Sequence, residues 1–226
     1  MAIRNIIFDF DGTLVDTAPV ILATMSATFE ELGLPAPSPE KCKSTIGLRL
    51  HEIPSKLFPD QEGLGEIYAE TYRRLFNTYN TLGAIVTFDG VRETLTALKR
   101  GGFNMAIASS RHRKSIEEIV GSLNMSALFD KIIGGDNVIN GKPSPEPVLT
   151  ITDSMQWLTE ETLVVGDAGV DIIMGKSAGC MTCGVTYGNG TIDELKVAGT
   201  DYIIGSFAEV QEVVRLINHS ANHEKR

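Results

Sequence analysis

The 226-residue chain is poor in cysteine, in long unbroken apolar runs and in positive charge. Its three cysteines, Cys42, Cys180 and Cys183, are odd in number and sparse, which argues against a disulfide framework. Cys180 and Cys183 have the spacing of redox and zinc motifs, but no second pair or nearby histidine completes a site, so they read as buried, inert thiols. Lys and Arg number 20 against 29 Asp and Glu, a net charge of -9. That balance disfavours a polyanion-binding surface, and no nucleic-acid partner is expected. No apolar stretch approaches the roughly 20 residues of a membrane helix, and the N-terminus opens on a strand instead of a charged-then-apolar leader. A cytoplasmic protein with no membrane partner is the expectation. There is no internal repeat or low-complexity tract. His219 and His223 are spaced to share a helix face, but they lie in a polar tail, residues 218–226, that is expected to fray.

What the chain does have is an ordinary globular composition, 42% hydrophobic and 22% charged, at a length that suffices for one core with a smaller inserted domain. Continuous apolar runs at 5–8, 105–108, 131–133, 163–165 and 181–185 alternate with helical patterns at 91–99, 116–123, 145–155 and 170–178. Strands that are apolar throughout, separated by helices, predict a doubly wound α/β fold with a Rossmann-like parallel sheet covered on both faces. The gap between the first two of these strands is too long for one crossover helix. Residues 17–84 carry helical patterns at 18–32 and 67–80, broken by Pro35, Pro37 and Pro39. The predicted organisation is a core of residues 1–16 and 85–226 with an α-helical domain, 17–84, inserted. Leu50, Ile53 and Leu57 on the insert are read as its own core.

Asp9 and Asp11 stand two residues apart at the end of the first apolar run. If the extended backbone continues through Asp11, both carboxylates project to one side. In an open α/β sheet, ligands gather outside the carboxyl ends of the strands. The residues at those ends are Asp9 and Asp11, Ser109 and Ser110, the acids Asp167 and Asp171, and the loop lysine Lys142. Each has a bland reading as a cap or a solvated loop charge; together they supply what a phosphoryl group needs. Asp9 is placed to attack phosphorus, Asp11 to move the proton, and Ser109 and Lys142 to hold the transferring oxygens. Magnesium suits the acids, with Asp167 as a ligand, because it takes hard oxygens and few protein groups.

The segments Asp9-Phe10-Asp11-Gly12-Thr13-Leu14-Val15-Asp16, Ala108-Ser109-Ser110, Gly141-Lys142-Pro143 and Val165-Gly166-Asp167-Ala168-Gly169-Val170-Asp171-Ile172, in this order, resemble the haloacid dehalogenase superfamily of phosphatases. The resemblance implies Asp9 as nucleophile and Asp11 as general acid and base. It places Asp9, Asp167 and the backbone carbonyl of Asp11 around Mg2+, and Ser109, Ser110 and Lys142 on the phosphoryl group. Asp171 would support the metal cluster or orient Lys142. Ala168 stands where the family often has Ser. The insert resembles the family's helical cap, with Thr45-Ile46-Gly47-Leu48-Arg49 as its specificity loop, where Gly47 admits backbone approach and Arg49 is either an anion reader or a solvated surface charge. Arg111 and His112 read as surface residues at a helix start.

Within that superfamily the motifs are most similar to phosphoglycolate phosphatase-like enzymes, implying hydrolysis of a small phosphomonoester through an aspartyl phosphate. The expected partner is a small phosphorylated metabolite, and the expected state a monomer or weak homodimer. Beta-phosphoglucomutase-like proteins typically carry Glu-Asp where this chain has Gly166-Asp167, and lack an acid at the position of Asp171. A mutase or an inorganic pyrophosphatase is therefore the alternative, and a phosphate-sensing protein without turnover a more remote one.

Overall fold

A computed structural model of the chain describes residues 1–80 and 83–223; the side chains of 222 and 223, and residues 81, 82 and 224–226, lie outside the described set. The strands are β1 (Asn5–Phe8), β2 (Val15–Asp16), β3 (Val86–Thr87), β4 (Asn104–Ala108), β5 (Lys131–Ile133), β6 (Thr162–Gly166), β7 (Met181–Val185) and β8 (Tyr202–Ile204). The α-helices are α1 (Ala18–Glu31), α2 (Pro39–Lys43), α3 (Ile53–Leu57), α4 (Gly65–Tyr79), α5 (Val91–Arg100), α6 (Arg113–Ser122), α7 (Glu146–Met155), α8 (Gly169–Ser177), α9 (Ile192–Val197) and α10 (Val210–His223).

Six strands form one parallel sheet in the order β5-β4-β1-β6-β7-β8. β1 lies at the centre, with Phe8 opposite Ile107 of β4 and Val165 of β6. Side chains alternate across a strand, so Ile6 and Phe8 enter one buried apolar cluster while Ile7 enters another on the opposite face. This explains why the strands read as apolar throughout: both faces are covered. The order reverses between β1 and β6, and the loops leaving β1, β4 and β6 open side by side at that switch point.

Among the described residues, the segment between β2 and β3 is helical. The helices α1 and α4 pack on each other, and their residues Phe29, Tyr68, Tyr72 and Phe76 belong to the same apolar cluster as β1. Ile53 is buried here, and Leu50 and Leu57 pack against the cluster, as expected of core positions.

Two expectations are corrected. The edge strand β8 and the antiparallel β2–β3 pair lie outside the expected elements, because they are only three and two residues long and partly exposed. Asp9 N still donates to Val165 O of β6, the amides of Leu14 and Val15 then both donate to Phe10 O in a tight bend, and Asp9 and Asp11 line one cavity while taking different partners. The tail is not frayed through residue 223. It is part of α10, anchored where Ile3 N donates to Asn218 Oδ1 at 2.6 Å and Asn218 Nδ2 donates to Ile3 O at 3.1 Å. The pairing of His219 with the His223 side chain lies outside the described residues.

Candidate active site

The acids predicted at the strand ends meet beyond β1 and β6. One carboxylate oxygen from each of Asp9, Asp167 and Asp171 lies within 4.8 Å of the others, and all three residues are buried. Lys142, on the loop after β5, inserts its ammonium between two of them, donating to Asp9 Oδ1 and, at 2.7 Å, to Asp171 Oδ1. Its side chain is 3% exposed. Burial alone would push the Lys142 ammonium down, but Asp171 and Asp9 outweigh it and hold the pKa above the usual amine value.

Three buried carboxylates facing one ammonium leave an excess of negative charge. Burial first, and then the repulsion of Asp171 and Asp167, raise Asp9 well above the ordinary carboxylate range despite Lys142. Burial and Asp171 likewise push Asp167 up to about 6. A divalent cation bound by hard oxygens answers this excess. The residues present fit magnesium, with Asp9 and Asp167 best placed to hold it.

The remaining bonds fix each acid. Thr13 Oγ1 spans Asp9 Oδ2 at 3.3 Å and Asp167 Oδ1 at 3.1 Å. Asn189 N donates to Asp167 Oδ2 at 2.6 Å, and Tyr187 Oη donates to Thr13 O at 2.8 Å. The loop after β7 thus closes over Asp167. Gly12, at φ +95°, allows this approach: a Cβ there would stand 2.3 Å from Asp167 Oδ2. Ala168 offers no side-chain cap to α8; Asp171 Oδ2 accepts the Ala168 amide at 3.0 Å instead.

Asp11 is outside the acid group. Arg111 grips its carboxylate, with Nη2 donating to Oδ1 at 2.7 Å and Nε to Oδ2 at 3.0 Å, while Thr17 Oγ1 donates to Oδ1 at 2.7 Å. The Arg111 guanidinium carbon lies 4.8 Å from the centre of the Phe76 ring on α4. The expectation that Arg111 is a surface residue is therefore corrected: its partner Asp11 is one hundred residues away, and only the pairing of β4 with β1 brings them together. His112 conforms to the plain reading, its Nδ1 accepting Lys114 N at 3.3 Å as the N-cap of α6.

Beside these groups lies a cavity of about 450 Å³ lined by Asp9, Asp11, Ser109, Ser110 and Arg111 on one side. Ile46, Gly47, Arg49, Ile53, Tyr72 and Phe76 line the other. Ser109 is buried, and its Oγ accepts the Arg111 amide at 3.1 Å. Gly47 takes φ +100°, the left-handed conformation expected of a glycine there. The Arg49 guanidinium donates to the carbonyls of Ile139 at 2.8 Å and Val138 at 3.0 Å, on the loop leading to Lys142.

Sequence reasoning did not single out Thr13, Asn189 or Arg111 as site residues. A glycine pair flanking Asn189 was the available signal for the second of them; no short-range pattern marks Arg111. Cys180 and Cys183 are buried, unpaired and pushed up to about 12 by burial, in keeping with inert thiols.

Residues 6–185 match the family model of haloacid dehalogenase-like hydrolases. A phosphoglycolate phosphatase of Salmonella typhimurium is 31% identical, spanning 98% of this chain and 96% of the relative. One from Aquifex aeolicus is 35% identical over 82% of this chain and 85% of its own. Among solved structures, a protein assigned as a haloacid dehalogenase-like hydrolase from Bacteroides fragilis has a TM-score of 0.87 at 30% identity, covering 92% of this chain and 99% of its own. Among the described residues, no helix is long and apolar enough to cross a membrane. The acid cluster, its buried lysine and the sheet that gathers them are those of a haloacid dehalogenase-like hydrolase, the family to which this chain belongs.

Proposed function

We propose that the protein is a magnesium-dependent phosphatase that hydrolyses a small phosphomonoester of the phosphoglycolate type through an aspartyl phosphate on Asp9. The observation that carries this reading is the buried Asp9 carboxylate fixed between Lys142 and Thr13 at the edge of the cavity. Lys142 and the hydroxyls of Ser109 and Ser110 bind the phosphoryl oxygens and hold phosphorus against Asp9. Asp9 forms a bond to phosphorus as the ester oxygen departs, and Asp11 supplies that oxygen with a proton. Asp11 then takes a proton from the water that attacks the acyl phosphate, releasing inorganic phosphate and restoring Asp9. Magnesium, held by Asp9, Asp167 and the Asp11 carbonyl, would draw charge from the phosphoryl oxygens. Thr13 and Asn189 fix Asp167, and Asp171 orients Lys142.

Residues 17–84 act as the cap that excludes water, with Gly47 lining the cavity and Arg49 tying the cap to the loop before Lys142 through the carbonyls of Val138 and Ile139. The enzyme works in the cytoplasm as a monomer or weak homodimer. One contact favours hydrolysis over phosphomutase chemistry: a Cβ on Gly166 would stand 2.3 Å from Asp171 Cβ, so the Glu-Asp pair of mutase-like proteins has no room beside Asp171.

Phosphate release from a panel of monoesters and pyrophosphate, with magnesium and with EDTA, tests the activity. Metal-dependent release from a small monoester, with solvent 18O found in the released phosphate and a phosphoryl group trapped on Asp9 by borohydride reduction in a single turnover, is the expected result. No release from any ester would refute it.

A further inference from the structure

We propose that Arg111 is the residue that recognises a second anionic group on the substrate, and that binding this group exchanges it for Asp11 on the guanidinium, so that substrate recognition itself releases Asp11 toward the reacting oxygen. The inference rests on the phosphatase reading above and names the specificity residue of that site.

Four observations carry it. Arg111 lines the same cavity as Asp9 and Ser109, whose hydroxyl accepts its amide. A substrate with its phosphate at Ser109 and a carboxylate two or three bonds beyond the ester oxygen shares that cavity with the guanidinium. The fork of Arg111 is already shaped to a carboxylate, since it holds that of Asp11 through both Nε and Nη2. The side chain is fixed in orientation by the Phe76 ring and by Ser115 Oγ, which accepts Nη1 at 3.3 Å. Finally, no other cation lining the cavity presents a paired fork: Arg49 spends Nη1 and Nη2 on the carbonyls of Ile139 and Val138 and has only Nε without a partner, and Arg73 and Lys114 are exposed.

The exchange also explains why a required acid is parked on a cation. With Arg111 and Thr17 holding it, the Asp11 carboxylate is outside the group formed by Asp9, Asp167 and Asp171. Withdrawing it without a replacement leaves a buried guanidinium unpaired, which is unfavourable; replacing one carboxylate by another keeps the charge balanced. A monoester of similar size without a second anion cannot make that replacement, and it turns over slowly even when its phosphate is bound.

The test compares 2-phosphoglycolate with ethyl phosphate on the full chain in magnesium. The parent protein is expected to favour 2-phosphoglycolate by about a hundredfold or more in kcat/KM, with much of the difference in kcat. Arg111→Gln is expected to lose most of that preference, with turnover of 2-phosphoglycolate falling while that of ethyl phosphate holds or rises because Asp11 is no longer held, and Arg111→Lys to keep part of it. Circular dichroism and melting of each variant verify folding, and a substrate ratio measured within one variant is independent of how much of it is folded. Equal turnover of the two esters by the parent, or an equal fall on both in Arg111→Gln, overturns this inference and leaves the phosphatase reading standing. No turnover of either ester or any other monoester overturns both.

Discussion

Replacing Lys142 by methionine keeps the length and apolar stem of the side chain and removes its charge. The ammonium is the shared partner of Asp9 and Asp171, 2.7 Å from the latter, and both carboxylates are buried with it. Breaking a buried ion pair by removing one partner costs about 3–5 kcal/mol. In a chain of this length that lowers the melting temperature by roughly 6–20 °C. The assay is thermal unfolding by circular dichroism in EDTA at pH 7.5, then at pH 5. Asp167 is raised to about 6, so it takes up a proton between these two pH values and relieves part of the repulsion left by the missing ammonium. The deficit of Lys142→Met is therefore expected to shrink at pH 5. Adding Asp171→Asn removes one of the unpaired charges and should recover part of the loss, giving a coupling energy between the two positions. If Lys142→Met melts within about 2 °C of the parent at pH 7.5, or if the second substitution adds its own loss in full, the electrostatic account of this cluster is wrong.

Asp9→Asn should abolish turnover, by at least about 10⁴-fold if the side chain is the nucleophile. It should melt no lower than the parent in EDTA, because it removes a carboxylate whose burial opposes ionisation; phosphate release and melting check the two halves. Gly12→Ala places a Cβ against Asp167 Oδ2 at a positive φ, and should cost roughly 2–4 kcal/mol and reduce the rise in melting temperature that magnesium produces. Asp167, raised to about 6 by burial and Asp171, binds its proton more tightly folded than unfolded. The stability this contributes to the metal-free protein is complete below the ordinary carboxylate value and is lost as pH rises through about 6, on the order of 3 kcal/mol. Urea unfolding from pH 4 to pH 7 measures it, and magnesium at a hundred times its dissociation constant should restore about 2.7 kcal/mol at pH 7.

The parts of the molecule legible in the sequence are those written in short-range pattern. β1, β4, β6 and β7 were readable because a central parallel strand buries both faces and so carries no polar alternation. Asp9, Lys142, Asp167 and Asp171 were readable because each leaves or follows such a strand at the sheet's switch point, where the fold brings them together. β8 escaped notice as an edge strand with Ile203 exposed. The different partners of Asp9 and Asp11 depend on Arg111, which no spacing within the first motif announces. Arg111 was mistaken for a surface group because a charged residue just before a helix is usually solvated; its burial comes from Phe76, contributed by a distant helix, and from Asp11 on a neighbouring strand's loop.

The glycines around Asp167 make one side of the acid cluster intolerant of any added atom, in contrast to the helical side of the neighbouring cavity. Side chains at Gly12 or Gly188 would strike the Asp167 carboxylate at 2.3 and 2.4 Å, and one at Gly190 would meet the Asp167 carbonyl at 2.2 Å. No mutation that adds even a methyl group there preserves the acid's position. On the helical side of the cavity, Ile46, Leu48, Asn77 and Asn80 hold no part of the acid cluster. Apart from Arg111, substrate preference is open to change on the helical side, and a directed-evolution library confined to those four positions would spend its diversity where the chemistry is not at stake.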